Sequence, residues 1–398
     1  MNSSANHPAE NLAIKLLLPL LASILAITPL AIDLYLPAMP LMASELNTTM
    51  PMVQNSLSIY LLGYALGLLF FGPMADKYSR RLLVIIGLGG FIITSLILPF
   101  SQDIEYFLSL RFVQAFIGSA ATVSVPGAIR EYYGKNMAKG FSYVSMIMMV
   151  APMVAPTIGA ILLALYNWQL IFYFLAAYSL AVLVMVIKYL PEAKNIEKRQ
   201  PMSFVTRYKI VLTHQKARLD LISSMMTSLA FFSYITAIPF IYLTVFETSE
   251  FTFSVLFALN VIALMATHFI NTKLVVRQGS RMMISYGLVL SVFASMGLVI
   301  VSYWQLSLIF TLLTLIPLMG SISMISVNAD SLVLVEFAEQ SGTATAVIGT
   351  LRFGLGALAG PILAVFHDGT ALPFALLMAC SISVILLCQI MIRVKQPY

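Results

Sequence analysis

Polar and apolar positions alternate along this chain on a scale of about twenty residues, the length of helix needed to cross a hydrocarbon core of about 30 Å. Twelve apolar runs stand out: Leu16–Leu36, Val53–Pro73, Leu82–Phe100, Tyr106–Ile129, Phe141–Leu163, Trp168–Ile187, Leu219–Phe246, Phe253–Thr272, Met282–Tyr303, Leu306–Val327, Thr343–Phe366 and Ala371–Ile392. They predict an all-α membrane protein of twelve transmembrane helices. The longest polar stretch, Pro191 to Arg218, divides them six and six. The predicted organisation is a cytoplasmic N-terminus (1–15), a six-helix bundle (16–190), a cytoplasmic linker (191–218), a second bundle (219–393) and a short cytoplasmic tail (394–398). Within the linker Phe204, Tyr208 and Leu212 recur every four residues among basic ones, which fits an amphipathic helix on the inner leaflet or a solvated connector. Asp76-Lys77-Tyr78-Ser79-Arg80-Arg81-Leu82 is echoed 200 residues later by Val276-Arg277-Gln278-Gly279-Ser280-Arg281-Met282, as duplicated halves require.

Composition agrees. Of 398 residues 60% are apolar and 10% charged, which excludes a soluble globule, where about a quarter are charged. Twenty of the twenty-two Lys and Arg fall on one side of the twelve runs, and the other two, Arg111 and Arg352, lie within runs. The opposite loops carry Glu45, Asp103, Glu105, Glu247, Glu250 and Asp368. The positive-inside rule then places both termini in the cytoplasm and the first run as an uncleaved span. The net charge of +6 reflects this topology and suits anionic lipid at the cytoplasmic face rather than nucleic acid. Cys380 and Cys388, eight positions apart on one helix, cannot bridge. With four scattered histidines and neither a His-Glu-x-x-His nor a serine-hydrolase motif, no enzyme, metal or cofactor is expected.

Charges inside runs are costly and usually functional. Asp33 closes the first run just before Pro37 and Pro40; either it lies within the membrane, or the helix ends there and the carboxylate is solvated. By helical rise Asp33 is roughly 25 Å from the inner end of its span and Arg111 roughly 8 Å from the outer end of its own. The two are therefore at similar depth and are expected to pair. Such a pair is either structural or a poised proton site, in which burial disfavours the charged carboxyl and the arginine favours it. No other Asp or Glu is expected deep in a span, so Asp33 is the candidate proton carrier.

These residues resemble the major facilitator superfamily and, within it, the drug:proton antiporters of the bicyclomycin-resistance (Bcr/CflA) type. Gly72-Pro73-Met74-Ala75-Asp76-Lys77-Tyr78-Ser79-Arg80-Arg81 is similar to the superfamily pattern G-x-L-A-D-R-x-G-R-R, with Lys77 and Ser79 as departures. The resemblance implies a conformational latch formed by Gly72, Asp76, Arg80 and Arg81. Gly72 is read as permitting close backbone approach, and Asp76 as accepting from a neighbouring helix N-terminus such as Ser341-Gly342-Thr343. Leu110-Arg111-Phe112-Val113-Gln114-Ala115 is similar to L-x-x-R-x-x-Q-G. Pro152, Pro156 and Gly159 resemble the antiporter motif of span five, read as a bend or a site of close helix packing. Asp33-Leu34-Tyr35-Leu36-Pro37-Ala38-Met39-Pro40 looks like the signature D-M-Y-L-P-A-L-P, while Trp168 opens span six and Tyr234 with Pro239-Phe240-Ile241-Tyr242 marks span seven.

The resemblance implies a proton-coupled exporter of small amphiphilic drugs or metabolites working by alternating access. It would be driven by the proton gradient, act as a monomer and reside in a bacterial inner membrane. Tyr35, Gln114, Tyr234 and Arg352 are the substrate-binding candidates. Arg352, centred in span eleven, has no acidic partner in neighbouring sequence, which favours neutral, zwitterionic or anionic substrates over cations. The alternatives are a dedicated exporter of one anionic metabolite, such as a carboxylate siderophore, and a passive channel. His268, near Asn271, is expected to be a hydrogen-bonded structural histidine rather than a proton relay.

Overall fold

A computed structural model describes residues 8–75, 77–133, 137–191, 204–337 and 341–395, which form helices joined by short turns. The N-terminal half holds α1 (Pro8–Asp33), α2 (Met39–Glu45), α3 (Met50–Ala75), α4 (Arg80–Ile97), α5 (Ile104–Tyr133), α6 (Met137–Leu165) and α7 (Gln169–Tyr189). A connecting helix α8 (Phe204–Thr213) leads to α9 (Arg218–Pro239), α10 (Glu250–Tyr303), α11 (Leu308–Glu336), α12 (Ser341–Gly356), α13 (Ala359–Val365) and α14 (Leu372–Lys395).

Among the described residues ten helical segments are long and apolar enough to cross a membrane. One of them, α10, has 54 residues, about 80 Å of helix and far more than one crossing needs. Its backbone breaks at Gly279, between the eighth and ninth predicted spans. The fifth predicted span is α6, whose stretch Val150–Leu165 is the shorter apolar helix. The eleventh is divided into α12 and α13. Each of the twelve predicted runs therefore has a helical counterpart.

The duplicated segments use different backbones. Gly279 has φ 78° and ψ 159°, a region open only to glycine. Ser79, its counterpart, has φ −56° and ψ 125°, ordinary extended backbone, which is why serine is accommodated where the family pattern has glycine. The arginine two residues on keeps a comparable task in both halves. Arg81 Nη2 donates to the Ile187 carbonyl at the end of α7, at 2.6 Å. Arg281 grips Asp220 in the first turn of α9 through two bonds, 2.5 and 2.6 Å.

The α8 helix does form, but its buried face is not the predicted one. Val211 is fully buried and Leu212 is exposed, because Tyr208 and Val211, three apart, dock on Leu221, Val333, Val347 and Ile348 of the C-terminal half. The apolar face is thus covered by protein rather than by the inner leaflet. On the opposite, predicted outer side, Glu45 accepts from Asn167 Nδ2 at 2.9 Å and from Trp168 Nε1 at 2.7 Å, tying α2 to the start of α7.

The halves meet where α3 packs on α12 and α13 and where α6 packs on α10. Two hydrogen bonds between the halves occur among the described residues: Gln54 Nε2 to the Thr236 carbonyl, 2.7 Å, and Gly360 N to Ser58 Oγ, 2.8 Å. Gln54 and Ser58 lie in the first third of α3, on the predicted outer side. Nearer the middle of α3, Tyr64 meets Phe353 edge-on at 4.6 Å.

Gly279→Ala should lower the stability of the purified protein by about 1–3 kcal/mol, the cost of placing a side chain in that backbone region, whereas Ser79→Gly should leave it nearly unchanged. Thermal unfolding in one detergent measures both.

Candidate functional site

The site grows out of the way α1 ends. Pro37 has no N–H to return to the Asp33 carbonyl four residues back, and α1 stops at Asp33, followed by a single tight turn at Leu36–Ala38 and then α2. That turn is fully buried, so the last carbonyls of α1 need partners inside the protein. Leu34 N reaches the Leu30 carbonyl at 3.1 Å. The next carbonyl, that of Ala31, accepts from Arg111 Nη2 at 2.9 Å, so a cation caps the negative end of the helix.

Arg111 is fully buried and well held. Its guanidinium lies over the rings of Tyr60 at 4.3 Å and Tyr35 at 4.7 Å, and its Nη1 donates to Gln114 Oε1 at 2.6 Å. Gln114 Nε2 in turn donates to Ser95 Oγ at 2.7 Å, and the Tyr35 hydroxyl shares a hydrogen bond with Ser56 at 2.9 Å. Tyr35 and Gln114, expected to touch substrate, are instead engaged in holding Arg111.

The expected ion pair between Asp33 and Arg111 does not form. The depth match is right, since Arg111 reaches a carbonyl two residues from Asp33, but the guanidinium takes backbone, amide and rings. The alternative of a solvated carboxylate at a helix end is half correct: the helix ends at Asp33, yet that residue is only 2% exposed. Its Oδ1 is buried and has no hydrogen-bond partner. Asp33 is not the only buried carboxyl, although Asp220 sits in the first turn of α9 rather than deep in a span. Asp220 is equally buried but is paired with Arg281, so among the described residues Asp33 is the buried carboxyl that lacks a cation.

Across the seam the C-terminal half offers further unsatisfied groups. The Tyr234 hydroxyl, Thr236 Oγ1 and Asn260 Oδ1 are buried without partners. Tyr234 is 1% exposed, and its ring stacks on Phe257 at 5.8 Å. Asn260 Nδ2 donates to the Leu256 carbonyl at 3.0 Å and to the Tyr242 hydroxyl at 3.4 Å.

Gly159 supports the same turn from behind. A methyl group there would lie 1.8 Å from the Leu34 carbonyl, so α6 approaches the end of α1 as only glycine allows. The helix runs unbroken through Pro152 and Pro156, so of the two readings of this motif the close-packing one fits Gly159.

Arg352 corrects a central expectation. It forms an ion pair with Asp330 of α11, whose other oxygen accepts from Ser224 of α9. Sequence distance hid this partner: Asp330 is near the inner end of α11, and the long arginine side chain reaches down to it. Arg352 is therefore not a free cation, and the argument it carried for an anionic substrate falls.

The latch residues are only partly as expected. Arg80 pairs with Glu131 at the end of α5, and Arg81 binds the end of α7, so both brace the N-terminal half. Gly72 lies inside α3, and a side chain added there would meet nothing within 4 Å, so close approach is not its role. Asp76 lies outside the described residues, as do the side chains at 341–343. His268 makes no side-chain hydrogen bond among the described residues; Asn271 bonds Asn328 instead, at 2.6 Å.

Sequence reasoning missed Tyr60, Ser56, Asp220 and Asp330. The acids had a faint signal, one acidic residue near the inner end of a span for each unexplained arginine. The aromatic cage had none, because the rings come from separate helices.

Comparison with known proteins follows the same lines. The family profile described as Major Facilitator Superfamily matches residues 21–361. A bicyclomycin resistance protein homologue of Haemophilus influenzae is 28% identical over 357 residues, covering 88% of this chain and 90% of the relative. A chloramphenicol resistance protein of Pseudomonas aeruginosa is 28% identical over 392 residues, covering 94% and 92%. Among solved structures, a bacterial homologue of the human lysosomal transporter Spinster superposes with a TM-score of 0.70 at 14% identity, covering 99% of this chain and 97% of that one.

Arg111→Lys keeps the charge but loses the planar fork that serves Ala31 and Gln114 together, and should cost about 2 kcal/mol of stability. Gly159→Ala should displace the turn after α1 and reduce folded protein recovered from membranes. Thermal unfolding and size-exclusion profiles read these two outcomes.

Proposed function

The chain belongs to the major facilitator superfamily, and from that premise we propose that it is a proton-coupled exporter of small amphiphilic drugs or metabolites, with Asp33 as the proton carrier. The observation that carries this reading is the Asp33 carboxyl, buried just before the turn that packs on α10 of the other half, with an oxygen that nothing satisfies. A charge in such a place costs several kcal/mol, so the carboxyl is at home there in its neutral form. Ionisation demands that water or another donor reach it, which links proton release to movement of the halves.

Alternating access supplies that movement. Both hydrogen bonds between the halves among the described residues lie on the predicted outer side, and neither involves a charged group, so each opposes separation by only about 1 kcal/mol. In the proposed cycle Asp33 takes a proton when the outer side opens and loses it to the inner side, and the gradient drives substrate outward. The two antibiotic-resistance relatives support drugs as substrates. With Arg352 paired to Asp330 and Arg111 enclosed by rings, the dedicated anion exporter loses its main support. We place the protein in a bacterial inner membrane, as a monomer with both termini cytoplasmic.

Chloramphenicol and bicyclomycin uptake into inverted vesicles with an imposed proton gradient tests the proposal. Wild-type protein should accumulate one or both, and Asp33→Asn should abolish the gradient-driven part. Transport by Asp33→Asn at the wild-type rate with the gradient collapsed would sink the proton-coupled reading and favour a passive channel.

A further inference from the structure

We propose that Ser58 of α3 caps α13 across the seam, and that this cap, which requires glycine at 360, is the contact that holds the outer side closed. Gly360 and Ser58 are then positioning residues for transport, a role that rests on the alternating access of the proposed cycle. The eleventh span is broken between Gly356 and Ala359. A helix that restarts leaves its first N–H groups without partners in their own helix. In α13 these are Ala359 and Gly360, since Pro361 has no N–H and Ile362 N already reaches the Leu358 carbonyl at 3.1 Å. Leu358, at the capping position, has no side-chain acceptor to offer. Ser58 Oγ of the other half takes the Gly360 N–H at 2.8 Å, and both residues are buried.

The space between the halves along this seam has the form of a wedge. A methyl group at Gly360 would lie 2.4 Å from Ser58 Oγ and 2.7 Å from Asn55 Oδ1, closer than a real side chain can come. Further inward, at Gly354, it would meet Ala65 at 3.9 Å, an ordinary contact. Gly349 lies one turn inward of Phe353 on the same face of α12, and a methyl group there would meet nothing within 4 Å. The facing helix shows the same progression. Ser58, Ala65 and Gly72 are spaced by seven and share one face of α3. The first bonds Gly360, the second faces Gly354, and a methyl group at the third would again meet nothing. The halves therefore touch most tightly at Gly360 and draw apart toward the predicted inner side.

Opening the outer side must pull Gly360 away from Ser58, and water then satisfies both groups. The closure uses a neutral donor and a neutral acceptor, so the seam can part and close again without desolvating an ion. Any side chain at 360 removes the fit of the serine against bare backbone, and the cap with it.

Two reporter cysteines, each alone in full-length protein carrying Cys380→Ser and Cys388→Ser, read the two sides. Ala237→Cys adjoins the Thr236 carbonyl that takes Gln54, in the small cavity that Gln54, Ala237 and Leu363 line at the outer seam. Gly349→Cys lies at the open end of the wedge. A membrane-impermeant maleimide is applied to right-side-out and to inverted vesicles. Ser58→Ala removes the cap and adds no bulk; it should speed labelling of Ala237→Cys from outside about fivefold, with no rise in labelling of Gly349→Cys from inside. Gly360→Ala, which loses the cap and adds crowding, should exceed that and slow labelling of Gly349→Cys. Gly87→Ala, crowded against Ala121 N at 2.5 Å but within one half, should leave the ratio of the two rates unchanged. Unchanged outside labelling in Ser58→Ala overturns the inference, and so does a rise on both sides together, which marks general loosening. If Gly360→Ala does not fold, Ser58→Ala decides alone. Should the two rates in the parent protein fail to move in opposite directions when a proton gradient is imposed, the proton-driven alternating access beneath the inference is overturned instead.

Discussion

In a membrane protein every backbone carbonyl away from water must find a donor, and the first helix of this chain meets that demand in an unusual way. Its end is buried rather than at the surface, and the guanidinium of Arg111 supplies the missing donor to Ala31. Much else follows from this one contact. A charged group in the interior needs its own partners, and Gln114 of the same helix with Tyr35, Tyr60, Ser56 and Ser95 from three other elements provide or support them. Gly159 allows α6 to close over the turn, and Asp33 is left buried with the nearby cation already spent elsewhere.

That division of labour explains why one acid differs from the others. Asp220 and Asp330 are held by Arg281 and Arg352 within the C-terminal half, where paired charges brace helix ends. Asp33 has a cation nearby that is bound to backbone and rings. The result is a carboxyl whose protonation changes its local energy strongly, while the helices around it are fixed by other contacts. The proposed coupling of a proton to motion requires both properties in one place.

The two halves also show how duplication diverges under physical constraint. Arg81 and Arg281 stand at equivalent places; one holds the end of α7 through a backbone carbonyl and the other the start of α9 through a buried carboxylate. Gly279 separates the two helical stretches of α10 through a backbone conformation closed to other residues, while Ser79 makes the corresponding turn with ordinary angles. The repeat is therefore one of position more than of detailed geometry.

The sequence by itself determined the fold class, the helical runs and the residues that had to matter at depth, because hydrocarbon imposes length, apolar composition and a high cost on charge. It marked Asp33 and Arg111 as neighbours and Gly159 as part of a packing site, and family resemblance pointed to the superfamily. Only the tertiary structure decided who binds whom. Arg111 takes Ala31 rather than Asp33, Arg352 takes Asp330, and α8 buries Val211 rather than Leu212, since each choice depends on which helices lie side by side and on where a side chain of several ångströms can reach. Pattern along a chain fixes which face and what depth a residue occupies; the partner is fixed by the helix opposite, and that is a property of packing.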